Sequence, residues 1–337
     1  MSIRVLAPGL LTTLQDAGRH GHAAFGVGGA GAMDPVAMRI ANLLVGNDID
    51  DAALEITLHG PRLRFDVDAL VATAGADVEL RIGAQTLPCW RPIVVRAGSE
   101  LAFGGMPRGA RAYLAVAGGI DGERVLGSRS TDVNSALGTF ARPLAANDAL
   151  HCRPAPRDLC RKLWETLDSR RDQDTGAAST TWSVDPENWF DYSGDHPIRA
   201  IAGAHFDSLD DASQRALFGA DFRIALDSNR VGCRLDGPRL ALRAPLELIS
   251  AGAATGTVQL PPSGMPIVLA AEGPTTGGYP RIAHVIGVDH GHLAQRRPGD
   301  IVRFAQTDLD DAQMRYLERE RALRRLELYV RERLFLS

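Results

Sequence analysis

The chain has 337 residues, 45% of them hydrophobic, which is enough for two globular domains with substantial buried cores. Lys and Arg together number 37 against 41 Asp and Glu, and the net charge of −4 argues against broad electrostatic binding to nucleic acid or an anionic bilayer. Lys162 is the only lysine, and the residues directly before it contain no glycine, which excludes a Walker-A phosphate loop and disfavours Schiff-base chemistry.

The cysteines indicate a reducing compartment. Cys89, Cys152, Cys160 and Cys233 form neither a C-x-x-C pair nor a zinc-binding spacing. No apolar run approaches the ~18 residues of a membrane span, and the first residues lack the apolar core of a signal peptide. The sequence therefore predicts a cytoplasmic protein.

The N-terminal part is predicted to be rich in strands. A first strand at residues 3–6 is followed by a helix that begins after Asp34 as N-cap and Pro35 as first helical residue, and that ends before Gly46. Between residues 53 and 150 short apolar segments alternate with Gly, Pro and Asp, which is typical of a barrel or sandwich. The predicted strands of this region are 54–58, 62–65, 69–72, 78–82, 93–95, 101–103 and 111–116.

The remainder is predicted to contain a second β-rich part and a long C-terminal helix. Residues 237–242 repeat the pattern of residues 60–65, and each copy is expected to open a strand. The chain is thus mostly β (α+β), with two β-barrel-type subdomains plus a C-terminal helix. The predicted division is an N-terminal β-rich subdomain at 1–152, a linker or insert at 153–196, a C-terminal β-rich subdomain at 197–306, and the helix at 307–337.

The strongest local candidate for a functional site is the loop 272–281, which lies between two apolar runs. Its adjacent glycines Gly277 and Gly278 can expose backbone N–H groups, and beside the hydroxyls of Thr275 and Thr276 these donors suit a carboxylate, a phosphate or a developing oxyanion. A tight hairpin with threonines bonded to their own backbone is the competing interpretation.

Other candidates have structural alternatives of equal or greater weight. The pairs at His20 and His22 and at His290 and His292 have metal-like H-x-H spacing, but we interpret them as surface loops without a completing ligand. Glu55, inside an apolar strand, must be paired or have a shifted pKa, and we expect structural pairing to an arginine. No G-x-S-x-G nucleophile elbow is present, which disfavours a serine hydrolase.

Eight segments combine into a recognisable series of motifs: 8–19, 31–35, 41–47, 54–57, 113–120, 127–131, 261–262 and 275–280. Taken together, they resemble the biotin-dependent carboxyltransferase family, which includes the C subunit of 5-oxoprolinase, the KipA proteins and the carboxyltransferase region of urea amidolyase. Glu272, Pro274 and Ala30 stand where this family usually has Asp, Gln and Ser.

The resemblance implies cyclophilin-like barrels and membership of a multi-subunit complex. Its first implication is the C subunit of an ATP-dependent 5-oxoprolinase that opens 5-oxoproline to glutamate, together with a homologous B-type subunit and an A-type hydrolytic subunit. ATP would be shared with the partner subunit. The alternatives are a biotin-dependent carboxyltransferase acting on urea or a related amide, with biotin carried on another chain, and a non-catalytic protein that regulates a kinase.

The resemblance and the loop together define the candidate residues. Donors from the 275–278 segment would stabilise negative charge on an amide oxygen, and Arg19 and Arg230 would neutralise a carboxylate or phosphate. The candidate catalytic residues are Asp16, Thr275, Thr276 and Tyr279. The candidate substrate- or nucleotide-binding residues are Gln15, Arg19, Asn42, Glu55, Ser128, Arg129, Ser228, Arg230, Gln259, Gly277 and Gly278. No metal ligand is predicted.

Overall fold

The computed structural model describes residues 2–155, 157–169, 177–190 and 196–336, and only the backbone of 157–162 and 335–336. The chain forms two compact units. Unit 1 comprises residues 1–18, 34–190 and 322–337, and unit 2 comprises residues 19–33 and 191–321. This grouping differs from the predicted division mainly at residues 19–33 and within the last helix. The four-part division itself stays a prediction.

Unit 1 is built mainly from strands. The helices and strands of unit 1 are β1 (Ser2–Ala7), β2 (Leu11–Gln15), α1 (Pro35–Leu44), β3 (Ala53–Thr57), β4 (Arg62–Phe65), β5 (Ala69–Asp77), β6 (Leu80–Ile82), β7 (Gln85–Leu87), β8 (Ile93–Val95), β9 (Glu100–Phe103), β10 (Arg108–Val116), β11 (Ala149–His151), α2 (Arg157–Ser169) and β12 (Ala177–Ser179). One sheet has the order β11-β1-β4-β9-β6-β7, and a second has the order β12-β8-β5-β10-β3-β2. Both contribute to one hydrophobic core, which includes Ile3, Leu54 and Leu63.

Local signals explain the start of α1. The Asp34 carboxylate accepts a hydrogen bond from the backbone N–H of Ala37 at 3.1 Å, and Pro35 occupies the first helical position, as predicted. Gly75 of β5 has φ +96°, and a β-carbon there would lie 2.5 Å from the Arg111 carbonyl oxygen and 3.3 Å from the Ala37 β-carbon. The absence of a side chain at Gly75 therefore allows α1 and β10 to approach β5 closely.

The predicted insert contributes a strand to unit 1. β12 pairs antiparallel with β8, with Ala178 opposite Val94, so the end of the insert extends the sheet. Residues 156, 170–176 and 191–195 of the predicted insert lie outside the described residues.

Unit 2 surrounds a second hydrophobic core. Its helices and strands are β13 (Ile198–Ala202), α3 (Asp211–Gly219), β14 (Phe222–Ile224), β15 (Gly232–Asp236), β16 (Ala251–Gly252), β17 (Thr257–Gln259), β18 (Ile267–Leu269), β19 (Thr276–Gly277), β20 (Arg281–Val285), α4 (His290–Ala294), β21 (Ile301–Val302) and β22 (Phe304–Thr307). The main sheet has the order β21-β14-β15-β18-β17-β20-β13-β22, and β16 pairs with β19 beside it. Val258, Val268 and Ile282 from central strands of this sheet lie in the core.

The predicted repeat of residues 60–65 at 237–242 is confirmed as a strand start for the first copy but is wrong for the second. The first copy opens β4 as predicted, but residues 237–242 follow β15 without opening another strand. Leu242 instead makes an isolated bridge to Leu209, and its neighbour Ala241 donates its N–H to Ser213 of α3. These contacts with distant segments fix the backbone of the second copy, and a shared hexapeptide does not encode them.

The C-terminal helix α5 (Leu309–Leu336) confirms the prediction, although it begins two residues later because Thr307 ends β22. Within unit 1, Leu323, Val330 and Leu334 of this helix are buried. No helix in the described ranges is both long enough and apolar enough to cross a bilayer.

Candidate functional site

Unit 2 contains a cavity of about 540 Å³ beside the predicted loop. Thr275 and Thr276 line it, as do Thr257, Arg281 and His284. The rest of its lining is small: Ala23, Ala24, Gly203, Ala204, Gly252, Ala253, Ala254 and Ala283. Small walls with a few polar groups are typical of sites for small molecules.

The backbone of the loop is held by a short ladder. Thr276 of β19 lies opposite Gly252 of β16, and the Thr275 carbonyl accepts a hydrogen bond from the Ala253 N–H at 2.9 Å. The competing interpretation of an isolated tight hairpin is therefore wrong, because the loop pairs with a segment more than twenty positions earlier. The pairing places both threonines on the cavity wall.

The two glycines of the loop have different roles. A β-carbon on Gly277 would lie 2.5 Å from the Gln259 side-chain nitrogen, whereas the atoms nearest to a β-carbon on Gly278 lie 3.7 Å away. Gln259 is buried on β17, and its Nε2 has no hydrogen-bond partner in the described part of the chain. A side chain at position 277 would therefore displace the end of the Gln259 side chain, and the structure brings these two predicted residues together.

The polar face of the cavity comes from β17 and β20. Thr257 lies opposite His284 in the strand register, with 3.4 Å between the Thr257 hydroxyl and His284 Nδ1. Burial lowers the pKa of His284 below its usual value, so its imidazole is neutral at pH 7. Arg281 donates through Nη1 to the Gly252 carbonyl at 3.0 Å.

Arg230 behaves as an anchor within unit 2. Its Nε donates to Glu272 Oε1 at 2.6 Å, its Nη2 donates to the Gly31 carbonyl at 2.7 Å, and both charged side chains are buried. The Glu272 N–H also donates to the Arg230 carbonyl at 2.8 Å. The ion pair therefore fixes the start of the loop. The Arg230 guanidinium is already paired with Glu272 within the protein, and its predicted role towards a ligand stays a prediction.

Asp16 is the centre of a hydrogen-bonded cluster in unit 1. Its Oδ1 accepts from the Ser128 hydroxyl at 2.5 Å, the Ser130 hydroxyl at 2.6 Å and the Gly18 N–H at 2.9 Å. Its Oδ2 accepts from the Arg129 N–H at 2.6 Å. Both oxygens of this carboxylate thus accept hydrogen bonds from protein groups, which suits it to holding the 128–130 loop in place. To act as an acid or base, Asp16 would first have to give up some of these hydrogen bonds.

The neighbours of Asp16 are also engaged by protein groups. Gln15 donates to Thr13 Oγ1 and to the Thr131 carbonyl, both at 3.0 Å. The Arg129 side chain donates to the Gly122 carbonyl and to Asp121. The structure thus brings four predicted residues of unit 1 into one cluster: Gln15, Asp16, Ser128 and Arg129.

Glu55 and Asn42 belong to other buried networks of unit 1. Tyr113 donates its hydroxyl to Glu55 Oε2 at 2.6 Å and accepts the Asp34 N–H at 2.8 Å. Burial, reinforced by the negative charge of Glu55, raises the pKa of Tyr113 well above its usual value. Glu55 is thus hydrogen-bonded to a tyrosine hydroxyl inside unit 1, and its expected pairing with an arginine stays a prediction. Asn42 donates to the Asp51 carbonyl at 2.7 Å.

The remaining predicted residues are more dispersed. Ser228 exchanges hydrogen bonds with the backbone of Arg234, its hydroxyl accepting from the N–H at 3.0 Å and donating to the carbonyl at 3.3 Å. Tyr279 is 46% exposed and does not line the cavity. Arg19 is buried, and its backbone N–H donates to the Gly29 carbonyl at 2.6 Å. Their assignment to a site stays a prediction.

A histidine cluster in unit 2 was missed by the sequence analysis. Ligand-type atoms of His196, Asp289 and His292 lie within 4.8 Å of one another, and the two imidazole rings stack with centroids 4.1 Å apart. The prediction that residues 290–292 form a surface loop is wrong, because they begin α4 and are partly buried. His20 and His22, in contrast, lie in an irregular segment as expected. Asp289, directly before His290, was the available signal.

The cluster has the donors for a metal ion but also a competing cation. Arg199 binds both oxygens of Asp289, with Nη2 to Oδ1 at 2.5 Å and Nε to Oδ2 at 2.9 Å. Burial opposes ionisation of Asp289, but hydrogen bonds from His196 and Arg199 outweigh it and keep the pKa of this carboxyl below its usual value. Because the guanidinium already neutralises the carboxylate, we interpret the cluster as a structural ion pair.

Comparison with known proteins places the chain in a family. The model of the carboxyltransferase domain, subdomain A and B, matches residues 25–306, and the chain belongs to this family. It is 38% identical over 324 residues to the 5-oxoprolinase C subunit from Escherichia coli (strain K12), covering 94% of this chain and 96% of that protein. It is 34% identical to the 5-oxoprolinase C subunit from Haemophilus influenzae, covering 89% of each.

The solved structures extend the likeness to a larger enzyme. The Kluyveromyces lactis urea carboxylase structure is 28% identical with a TM-score of 0.81, and the match covers 96% of this chain but 29% of that one. Urea amidolyase of Saccharomyces cerevisiae is 30% identical, and the match covers 90% of this chain and 16% of that protein. The chain therefore corresponds to one region of the urea enzymes and to nearly the full length of the bacterial subunits.

Proposed function

We propose that this chain is the C subunit of a 5-oxoprolinase complex that opens 5-oxoproline to glutamate at the expense of ATP. The observation that carries the proposal is the 38% identity to the Escherichia coli subunit, which extends over 96% of that protein. Likeness over nearly the full length of that subunit supports a role as the same kind of subunit. The proposed partners are a homologous B-type subunit and an A-type hydrolytic subunit in the cytoplasm, with ATP bound jointly.

The cavity of unit 2 supports a role in binding the amide. Its threonine hydroxyls are donors, and ring opening of a lactam places negative charge on the amide oxygen. In this proposal Thr275 and Thr276 stabilise that charge, while the neutral His284 adds a polar group without a second positive charge. Arg230 and Asp16 act as structural supports rather than as groups that touch the substrate.

Reconstitution tests this function directly. The chain is combined with its B-type and A-type subunits, and release of ADP and glutamate is measured with and without 5-oxoproline. We expect ADP release to rise with 5-oxoproline and to depend on all three subunits. A well-formed complex whose ADP release does not respond to 5-oxoproline would contradict the proposal.

A matched pair of variants tests the cavity within that complex. Thr276→Val keeps the volume of the side chain and removes the hydroxyl, and we expect turnover to fall by about a hundred- to a thousandfold, the usual range for the loss of one oxyanion donor. Thr255→Val is the control, because Thr255 belongs to unit 2 but does not line the cavity. Equal turnover in both variants would show that the Thr276 hydroxyl is not needed.

The second candidate function is carboxyl transfer from carboxybiotin to urea or a related amide. The structural likeness to urea carboxylase, with a TM-score of 0.81, favours this alternative. Biotin would be carried on another chain. Incubating the chain with its B-type partner, a carboxylated biotin carrier and urea distinguishes the two functions, because only the second predicts urea-dependent loss of carboxybiotin.

A further inference from the structure

The cavity of unit 2 has an uncompensated positive charge. Arg281 is the charged residue among the described residues that line the cavity. None of these residues is Asp or Glu, and His284 is neutral at pH 7. Two other arginines of unit 2 differ from Arg281 in this respect, because Arg230 is paired with Glu272 and Arg199 with Asp289. A cation beside a small cavity without an anion favours an anionic ligand.

Arg281 is positioned firmly but keeps donors available. Its backbone N–H donates to His205 Nδ1 at 3.1 Å, and its Nη1 donates to the Gly252 carbonyl at 3.0 Å. In the described part of the chain, its other guanidinium N–H groups have no hydrogen-bonded partner. A guanidinium fixed through one nitrogen and open at the others can bind a planar carboxylate through two parallel hydrogen bonds.

The other polar groups of the cavity suit a neutral amide. Thr275 and Thr276 supply hydroxyls, and His284 Nδ1 faces the Thr257 hydroxyl. This contact leaves His284 Nε2 as the ring nitrogen that is not committed to Thr257. The alanines and glycines of the wall leave room for a ring. The cavity therefore combines one site for a negative charge with several sites for uncharged hydrogen-bonding groups.

We propose that Arg281 is the residue that recognises the carboxylate of the ligand, and that the cavity selects small cyclic amides that carry a carboxylate over amides that lack one. This inference rests on the proposed function for the identity of the ligand, which is 5-oxoproline. It adds the specificity-determining residue and a reason for rejecting an uncharged lactam. Urea, which has no carboxylate, would gain nothing from Arg281.

Calorimetric titration of the chain, alone and in the reconstituted complex, tests the inference. The ligands are 5-oxoproline and 2-pyrrolidinone, which is the same lactam without the carboxylate, and the proteins are wild type, Arg281→Gln and Arg281→Lys. Arg239→Gln is the matched control, because Arg239 is exposed in unit 2 and does not line the cavity. Circular dichroism and thermal unfolding of each variant verify that it is folded.

We expect Arg281→Gln to weaken 5-oxoproline binding by about ten- to a hundredfold, the range for a hydrogen-bonded charge pair. Binding of 2-pyrrolidinone should stay weak and unchanged, Arg281→Lys should fall between, and Arg239→Gln should match wild type. Equal loss for both ligands would overturn the assignment, and so would inorganic phosphate competing as strongly as 5-oxoproline. Absence of 5-oxoproline binding to the chain and to the complex would also overturn it.

The outcome is separable from that of the proposed function. Selective binding of 5-oxoproline through Arg281 in a complex that shows no turnover would support the recognition site and contradict the ATP-dependent reaction. Turnover of 5-oxoproline that Arg281→Gln leaves unchanged in both KM and kcat would support the reaction and contradict the recognition site.

Discussion

Replacing Asp16 with Asn tests whether this carboxylate is a structural centre or a catalytic group. Asn keeps the size of the side chain and one acceptor oxygen. If that oxygen takes the place of Oδ1, the bonds from Ser128, Ser130 and Gly18 remain, but the new NH₂ group faces the Arg129 N–H at the 2.6 Å distance of the present bond. If the amide is turned the other way, its NH₂ faces three donors instead of one.

The size of the destabilisation follows from the orientation of the amide that keeps more of the hydrogen bonds. This orientation loses one hydrogen bond to a charged group, worth about 1.5–3 kcal/mol, and leaves a buried donor unsatisfied at a further cost of about 1–3 kcal/mol. We therefore expect the free energy of unfolding of unit 1 to fall by about 3–5 kcal/mol. Asp121→Asn is the matched control, because the exposed pair of Asp121 with Arg129, at 3.3 Å, contributes little to stability.

Urea denaturation followed by circular dichroism and by tryptophan fluorescence measures the effect, with each probe fitted separately because the chain has two units. We expect a lower urea midpoint for Asp16→Asn and a urea midpoint near that of wild type for Asp121→Asn. The reasoning would be refuted by an Asp16→Asn protein that unfolds like wild type but has lost turnover in the reconstituted complex. That result would restore Asp16 as a catalytic residue.

Three further predictions concern unit 2. Glu272→Gln leaves the buried Arg230 guanidinium without its anionic partner, so we expect the unfolding free energy to fall by about 3–5 kcal/mol in denaturant titrations; a change below about 1 kcal/mol would contradict the anchoring role. Gly277→Ala displaces the end of the buried Gln259 side chain and should cost about 1 kcal/mol, whereas Gly278→Ala should be nearly neutral; equal effects on the unfolding midpoint would refute the close-approach argument. Burial lowers the pKa of His290 from 6.5 to about 4, so the unfolded state binds its proton first and stability falls as the pH drops from 6.5 towards 4. Midpoints measured across that range should fall less steeply for His290→Gln than for wild type, and parallel slopes would rule out His290 as the source.

Local patterns were sufficient for most of the elements. The Asp34 and Pro35 signal sets the start of α1 because a capping carboxylate and a fixed φ act within one turn. The strand at residues 62–65 has the bounds predicted from its alternating apolar positions, since that period alone places its side chains on the two faces of a sheet. The series of family motifs was likewise visible in the sequence, and the family match confirms it.

Tertiary structure alone decided which groups the candidate residues contact. Asp16 meets Ser128 and Ser130 across more than a hundred positions, Arg230 meets Glu272, and Asp289 meets His196 and Arg199, and none of these pairs has a local signature. The cavity residues Arg281 and His284 likewise became candidates only when β20 was paired with β17. The spacing of apolar residues in a strand and the capping of a helix both depend on neighbours within a few residues, so both can be predicted directly from the sequence. Charge compensation depends on which distant groups the fold brings within about 3 Å, and the fold determines which charges are paired within the protein and which one faces a cavity.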